Sequence, residues 1–395
     1  MAVRRVETRL SDGERFDWLR LIRSENVGPR TFRALLDRCG GAAAALAALP
    51  ELARRGGAGR PIRIAGVDEI EREIEDSLHL NVRFIAYCEP DYPPVLRHID
   101  AAPPLLALRG REEALQQPAV AIVGSRNASA AGLAFADRLA RGLGQAGFVV
   151  VSGLARGIDQ RAHVASLDTG AVAVLAGGHA KPYPPEAAPL LPRIAESGAV
   201  VTEMPLTWEP RGRDFPRRNR IVSGLALGVI IVEAARGSGS LITARLAAEQ
   251  GREVLAAPGS PLDPRAEGTN DLLREGATLC ARVEDALAAL EPLRARAASC
   301  GRMEEPRSND DLWLDEPADA DEPASAERGD PGESAVGARV AALLGPAPVS
   351  IDELARAANA DVRSVRAALI ELELAGRIEH SGGDRVALLT GWRRD

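Results

Sequence analysis

Between Pro118 and about Leu290, short apolar runs alternate with stretches whose apolar residues recur at helical spacing. The run Ala119–Val123 is rich in β-branched residues and ends at Gly124, which is typical of a buried parallel strand. The stretch that follows predicts an amphipathic helix. Its apolar face is made of Leu133, Ala136, Leu139, Ala140 and Leu143. Because this plan repeats along the segment, the pattern predicts a Rossmann-like, doubly wound α/β core with a mostly parallel sheet.

The same alternation predicts the remaining strands of this core. They are Phe148–Val151, Ala171–Ala176, Val200–Thr202, Val229–Glu233, Glu253–Ala256 and Ala277–Leu279. Upstream, Val82–Tyr87 alternates like a strand, and Pro103–Arg109 is predicted to be an extended lead-in to the sheet. We therefore assign residues 79–298 to the core.

Residues 1–78 are predicted to form a helical domain, with helices within residues 16–55 and at Val67–Leu78. Two of the helical segments are joined by Asn26–Pro29, which resembles the turn of a helix-hairpin-helix motif. Backbone amides of such a turn can hold a DNA phosphate. A plain helical hairpin in a small bundle explains these residues equally well, so both interpretations stay open.

Two segments of different character follow the core. Residues 299–335 are rich in Pro, Ala and acidic residues, which predicts a disordered linker. Residues 336–395 predict three helices, at Val336–Leu344, Ile351–Ala358 and Val362–Ala375, and a hairpin, Arg377–Leu389, that turns at Gly382 and Gly383. Three helices and a hairpin indicate a winged helix.

The formal net charge of −7 hides a basic core. Residues 301–335 hold twelve acidic residues and three Arg, a net charge of −9, so the rest of the chain carries +2. Its basic groups are nearly all Arg, which permits a nucleic-acid partner. Aromatic residues are only 3% of the chain, so we do not expect several stacking rings to dominate a nucleic-acid contact.

No apolar run approaches the length of a membrane span, and the N-terminus lacks a signal-peptide core, so we expect no membrane association. The four Cys are scattered, without a close pair or zinc spacing, and are expected to be free thiols in the cytoplasm. We predict no metal and no cofactor.

Two turns after neighbouring strands suggest an anion site. Gly124, Ser125 and Arg126 follow the first core strand, and Ser152–Gly157 follow the second, each before a helix. Helix N-termini expose backbone amides that favour anions, and parallel strands end at one edge of the sheet. We therefore predict a polyphosphate-binding crevice. The alternative is that these glycines serve only tight turns between strand and helix.

An arginine cluster lies at the predicted mouth of the sheet, beside the segment FPRRNR. It consists of Arg211, Arg213, Arg217, Arg218 and Arg220. A second glycine-rich turn, Gly237-Ser238-Gly239-Ser240, follows a later strand. Together with Arg126 and Arg156, these are more cations than one nucleotide needs, which favours a run of phosphates along a strand. A solvated basic loop is the alternative.

Enzymatic chemistry has weak support in the residues. Asp159 and His163 stand one helical turn apart, and Glu203 and Glu233 end strands. We expect Asp159 to be a helix N-cap and the two glutamates to orient arginines. The segment after Val123 lacks the dinucleotide fingerprint, and no P-loop or Ser-His-Asp order is present, so no catalytic residue is assigned.

The core resembles that of the DNA-processing protein A family, in segments that occur in order with family-like spacing. They are VAIVGSRNAS, VVSGLARGIDQRAH, YPPE, FPRRNRIVSGLA, VIIVEA, GSGSLITARLAAEQGREVLAAPGS and EGTNDLLREGA. The resemblance extends to the three-module plan, with an N-terminal helical domain similar to a sterile-alpha-motif fold and a C-terminal winged helix. Almost the whole chain outside the acidic linker is covered.

The resemblance implies a non-catalytic protein that binds single-stranded DNA in a basic pocket of the core. It also implies a homodimer formed through that core, and loading of a RecA-type recombinase onto DNA coated with single-strand-binding protein during natural transformation. The DNA-binding residues that it implies are Gly124, Ser125, Arg126, Ser152, Gly153, Arg156, Gly157, Arg217, Arg218, Asn219, Arg220, Gly237, Ser238, Gly239 and Ser240.

Two other functions are weighed against this one. Nucleotide phosphoribohydrolases of the same fold class carry a catalytic Glu in a glycine-rich signature, but Thr243 stands at that position here. A transcription regulator acting through the winged helix is disfavoured, because Arg363 and Arg366 are offset by Glu371 and Glu373. For the same reason we expect the winged helix to serve protein contacts at least as readily as duplex DNA.

Overall fold

The computed structural model describes residues 9–300, 331–380 and 384–389. It divides into two compact units. The first holds the chain up to Ala47 and Arg63–Glu291, and the second holds Ala48–Ile62 and the chain from Pro292 onward.

The first unit is built on one nine-stranded sheet in the spatial order β1-β2-β6-β5-β4-β3-β7-β8-β9. The strands are β1 Val82–Ala86, β2 Leu105–Gly110, β3 Ala119–Gly124, β4 Val149–Ser152, β5 Ala171–Val174, β6 Ala199–Thr202, β7 Gly228–Val232, β8 Glu253–Ala256 and β9 Thr278–Leu279. In this spatial order, every neighbouring pair in the run β6-β5-β4-β3-β7-β8-β9 is parallel. Strand β2 pairs antiparallel with both β1 and β6. The prediction of a doubly wound, mostly parallel sheet is confirmed.

Helices precede the first strand and alternate with the later strands along the chain. Those of the first part of the chain are α1 Asp12–Arg23, α2 Pro29–Cys39, α3 Ala42–Arg55, α4 Val67–His79, α5 Pro94–Arg97 and α6 Glu113–Gln116. Those that alternate with the parallel strands are α7 Ala130–Gln145, α8 Ile158–Ser166, α9 Leu190–Ser197, α10 Asp214–Gly224, α11 Gly239–Glu249, α12 Glu267–Arg274 and α13 Val283–Cys300. Strands β3 to β7 are buried along nearly their whole length, because helices pack on both faces of the sheet.

The order in which the chain adds strands to the sheet reverses between β3 and β7, and this reversal positions the site. Ile122 of β3 lies opposite Ile230 of β7, while Ala121 lies opposite Val151 of β4 on the other side. The chain moves outward from β3 in one direction through β4, β5 and β6, and then returns to place β7 on the other side of β3. In open α/β sheets such a switch point opens a crevice at the carboxyl ends of the strands.

Helices α1 and α4 are joined by a buried ion pair, and α1 also contacts the segments that follow β1 and β6. Arg23 of α1 lies 2.8 Å from the Glu73 carboxylate of α4, and both side chains are less than 10% exposed. Arg23 also donates to the Glu203 carbonyl at 3.0 Å. Arg15 similarly holds the buried Glu89 carboxylate at 2.6 Å. The predicted boundary at residue 78 is thus bridged by side-chain contacts within one compact unit.

The described part of the second unit contains a winged helix. Its helices are α14 Pro331–Leu343, α15 Ile351–Ala358 and α16 Val362–Leu374, and its strands are β10 Val349–Ser350, β11 Ile378–His380 and β12 Arg385–Leu388. The strands pair antiparallel in the order β10-β12-β11 around a core that includes Val340, Leu369 and Val386. The winged helix is confirmed, and β10 is an additional short strand that the pattern did not predict.

The acidic segment and the hairpin turn largely fall outside the described residues. This applies to residues 301–330 of the predicted linker and to the turn at Gly382 and Gly383. At the ends of the linker, α13 continues to Cys300 and α14 already begins at Pro331, five residues before the predicted helix.

Two buried histidines make the stability of the first unit dependent on pH. Burial lowers the pKa of His163 in α8 to about 3, and Arg218 nearby acts in the same direction. Burial likewise lowers the pKa of His179 to about 4. Below pH 6.5 the unfolded chain binds protons that the folded chain excludes, so the stability falls as the pH falls.

For His163 we expect a loss of about 2 kcal/mol between pH 7 and pH 5, because each pH unit is worth about 1.4 kcal/mol once the unfolded imidazole is protonated. In His163→Leu this loss of stability between pH 7 and pH 5 should disappear. In the control variant His79→Leu, which changes an exposed histidine, the loss should remain. Denaturant unfolding of the three proteins at both pH values measures this, and identical pH profiles for His163→Leu and the parent would contradict it.

Candidate nucleic-acid interface

An open crevice of about 520 Å³ lies at the carboxyl ends of β3, β4 and β7. Its walls come from four segments that are distant in sequence: the turn after β3, the turn after β4, the start of α10, and the glycine-rich turn before α11. The predicted site residues that line it are Gly124, Ser125, Arg126, Gly153, Arg218, Asn219, Gly237, Ser238, Gly239 and Ser240. The crevice is therefore the place where both predicted turns and the FPRRNR segment meet.

A second cavity of about 410 Å³ shares Arg126 and Phe215 with the crevice and adds Arg156 and Tyr183. The rings of Tyr183 and Phe215 meet edge to face, with centroids 5.3 Å apart. Tyr183 is 47% exposed. Sequence reasoning missed this aromatic pair because it weighed the low aromatic content of the whole chain. The available signal was that Tyr183 and Phe215 both stand in family-like segments.

Arg126 is an exposed cation of the crevice. Its guanidinium carbon lies 5.4 Å from the centroid of the Phe215 ring, in the range of a cation–π contact. Within the described part of the chain, no carboxylate lies within ion-pair distance of Arg126, whereas Arg156 pairs with Glu186 at the surface. Arg126 is therefore available to an anion that enters the crevice.

Arg218, by contrast, is built into the base of the crevice. It is 6% exposed, and it donates to the carbonyls of Gly153 and, at 2.7 Å, Val174, and to the Asn219 side chain at 3.1 Å. A Cβ at Gly153 would lie 2.4 Å from this guanidinium, so the turn after β4 needs a glycine there. Burial lowers the pKa of Arg218 to about 10, so the buried group is a cation at neutral pH.

The amides of the turn after β4 have an internal acceptor. The Asp159 carboxylate accepts from the Gly153 amide at 3.1 Å and from the Ala155 amide at 3.4 Å. The N-cap of α8 is Gly157, so the expectation that Asp159 caps this helix is wrong. Two of the amides that were expected to be free are used here by the carboxylate that folds the turn.

The N-terminus of α7 is also occupied from within. The Glu233 carboxylate, directly after β7, accepts from both the backbone and the side chain of Ser129, which caps α7. Glu233 was expected to orient an arginine; its hydrogen bonds go to Ser129, and it also interacts electrostatically with Arg265. Glu203 does pair with an arginine, Arg220, as expected.

Four predicted site residues line neither the crevice nor the second cavity. Ser152 is buried and donates to the Ile122 carbonyl at 2.6 Å. Gly157 has a φ of 78°, and a Cβ there would lie 2.3 Å from the Ser125 carbonyl oxygen, so it lets the two turns touch. Arg217 is exposed on α10. Arg220 is turned away from the crevice to Glu203 and the Ala101 carbonyl.

The wall after β7 adds groups that were not assigned to the site. Arg236 lines the crevice and pairs with Asp271 at 2.9 Å. Thr243, which was weighed against a catalytic Glu in the sequence, also lines it. In the described ranges, no group of three or more His, Cys, Asp or Glu converges as a metal site. Nor does any helix described here combine the length and apolarity needed to cross a membrane.

The fold and the crevice define a protein with a Rossmann-like core and a basic site at its switch point, flanked along the chain by a helical region and a winged helix. The chain belongs to the DNA recombination-mediator protein A family, which it matches over residues 83–291. It also matches a "DprA-like N-terminal HHH domain" over residues 12–75 and a "DprA winged helix domain" over residues 318–384.

Curated relatives agree with this family. The chain is 40% identical over 223 residues to DNA processing protein DprA of Streptococcus pneumoniae, covering 55% of the chain and 79% of that protein. It is 41% identical over 203 residues to Protein Smf of Escherichia coli, covering 51% of the chain and 54% of that protein. It thus spans about half the length of the Smf protein that it matches.

Two solved structures share the fold. The X-ray structure of DprA from Streptococcus pneumoniae superposes with a TM-score of 0.59 at 32% identity, over 71% of this chain and 98% of that one. DprA from Helicobacter pylori, described for its single-stranded DNA binding mode, superposes with a TM-score of 0.50 at 27% identity, over 54% of this chain and 97% of that one.

Proposed function

We propose that this protein binds single-stranded DNA in the crevice, protects incoming DNA and delivers it to recombination. The observation that carries the proposal is the exposed Arg126, which faces the crevice beside Phe215 and has no carboxylate partner in the described structure. A guanidinium in this position forms forked, charge-assisted hydrogen bonds with a phosphate. The described binding mode of the Helicobacter pylori relative supports the same ligand class.

The aromatic pair favours a single strand over a duplex. Bases of a single strand can stack on aromatic rings, and such stacking accepts any base. Tyr183 and Phe215 line the cavity that adjoins the crevice, together with Arg126 and Arg156. A strand that passes from the crevice into this cavity meets rings for its bases and guanidinium groups for its phosphates.

The glycine-rich turn supplies the opposite wall. Ser238 caps α11, and its hydroxyl lies 2.8 Å from that of Ser240. Asn219 donates to the Gly239 carbonyl at 3.2 Å and so fixes this turn against α10. We propose that Gly237–Ser240 receives a phosphate or sugar through its hydroxyls and backbone, in a wall whose shape is set before the ligand arrives.

The wider role rests on family membership. We propose that the protein loads a RecA-type recombinase onto its bound strand during natural transformation, acts on DNA that carries single-strand-binding protein, dimerises through the core, and works in the cytoplasm. We propose that it has no catalytic step. A phosphoribohydrolase activity is the alternative, and Thr243 in place of a catalytic carboxylate disfavours it.

A titration of a fluorescent single-stranded oligonucleotide at several salt concentrations tests the proposal. With about four phosphates neutralised, affinity should fall about fiftyfold between 50 and 200 mM salt. A blunt duplex of equal length should bind more weakly at every salt concentration. Equal or tighter duplex binding, or an affinity that ignores salt, would overturn the assignment.

A further inference from the structure

Glu233 stands at the junction of two crevice walls. It follows β7 directly and has a φ of 54°, a left-handed conformation that is uncommon for residues other than glycine. Such conformations persist where surrounding contacts hold them in place. Here the contacts reach across the crevice edge to Ser129, which is 104 residues earlier in the chain.

The contact is a closed set of hydrogen bonds at the start of α7. The Ser129 amide donates to Glu233 Oε2 at 2.8 Å, and the Ser129 hydroxyl donates to Oε1. The same hydroxyl accepts from the Gly132 amide at 2.9 Å. A Cβ at Gly132 would lie 2.5 Å from the Glu233 carboxyl carbon, so the carboxylate packs directly on the first helical turn.

This arrangement fixes both ends of the turn that carries Arg126. At its start, the Ser125 amide donates to the Val232 carbonyl at 3.4 Å, and the Ser125 carbonyl accepts from Ile158 at 3.3 Å. At its end, Ser129 is held by Glu233. Arg126 and Asn127 lie between these two anchors, exposed on the crevice side.

We propose that Glu233 is a positioning residue for DNA binding: through Ser129 it holds the Ser125–Ser129 turn so that Arg126 faces the crevice. This inference rests on the proposed function. In this arrangement the Glu233 carboxylate occupies the positive N-terminal end of α7, where an anion would otherwise bind. The phosphate is therefore bound by the Arg126 side chain rather than by the α7 amides.

The proposal and simple electrostatics predict opposite changes in DNA affinity when Glu233 is removed. Removing a carboxylate beside a basic crevice should tighten the binding of an anion, if charge alone matters. If Glu233 holds the turn, Glu233→Ala weakens binding, by about tenfold. Glu186 is the matched control, because it is an exposed glutamate that pairs with Arg156 and holds no turn. Glu186→Ala should therefore bind DNA equally well or more tightly.

The experiment measures binding of a fluorescent oligo-dT strand at low salt by the parent, Glu233→Ala, Ser129→Ala, Arg126→Ala and the double variant Glu233→Ala/Arg126→Ala. Melting temperatures report folding, and Ser129→Ala removes the hydroxyl part of the contact while it keeps the charge. We expect both turn variants to lose affinity, and Glu233→Ala to lose nothing further once Arg126 is absent, since coupled residues are not additive.

The outcomes separate the two claims. If Arg126→Ala keeps full affinity, the crevice is not the DNA site and the proposed function fails. If Arg126→Ala weakens binding while Glu233→Ala and Ser129→Ala bind as tightly as the parent, the positioning role fails alone. Additive losses in the double variant would also overturn it, because Glu233 would then act independently of Arg126.

Discussion

Arg126→Ala is expected to lower the affinity for single-stranded DNA about ten- to a hundredfold while leaving the fold intact. A charged hydrogen bond to a phosphate is worth about 1.5–3 kcal/mol, which corresponds to that range. The side chain is exposed and lies over the Phe215 ring, so the melting temperature should change little. The slope of affinity against salt should also become shallower, by about 0.7 for one lost phosphate contact.

The winged helix provides the control. Arg363 and Arg366 are exposed on α16, and Arg366 lies 3.9 Å from Asp384. The double variant Arg363→Ala/Arg366→Ala removes two cations, yet we expect it to bind the strand as the parent does. If this pair weakened binding and Arg126→Ala did not, the DNA site would have to be sought in the C-terminal module.

Arg218→Ala is expected to destabilise the protein by about 3–5 kcal/mol, because removing one member of a buried charged network leaves the others without compensation. The variant loses the donor to the Gly153 and Val174 carbonyls. It also loses the cation that opposes the effect of burial on Asp159, whose pKa burial raises. Thermal unfolding should show a drop of about 10 °C or more.

The neighbouring residue is a matched control within the same helix. Arg217 is exposed on α10, one position before the buried Arg218. Arg217→Ala should change stability by less than about 0.5 kcal/mol, as surface substitutions usually do. Equal melting temperatures for the two variants would show that the buried network contributes no net stability.

Local patterns predicted the parts of the site that depend on short stretches of sequence. The strands before Gly124 and Gly153, and the helices after them, follow from apolar periodicity and glycine placement. Because parallel strands end at one edge of a sheet, their convergence on a crevice also followed. The family-like segments then selected Arg126 and Gly237–Ser240 as lining residues.

What escaped prediction depends on partners that are distant in sequence. Nothing near Glu233 indicates that it will bind Ser129 and fill the N-terminus of α7. Arg218 and Arg220 belong to one basic motif, yet one lies under the crevice and the other faces Glu203, because they stand on different sides of α10. The contact between Tyr183 and Phe215 likewise joins a loop to the first turn of α10, which only the folded sheet brings together.

The pairing of β3 with β7 has a consequence for when the protein becomes competent. Val120 of β3 lies opposite Gly228, more than a hundred residues later in the chain. A nascent chain that has emerged only as far as β6 contains the turns after β3 and β4. It lacks Glu233 and the wall formed by Gly237–Ser240. Non-local pairings of this kind form slowly, and domains fold as units during synthesis. The crevice is therefore completed late, after β7 and the Gly237–Ser240 wall have been synthesised.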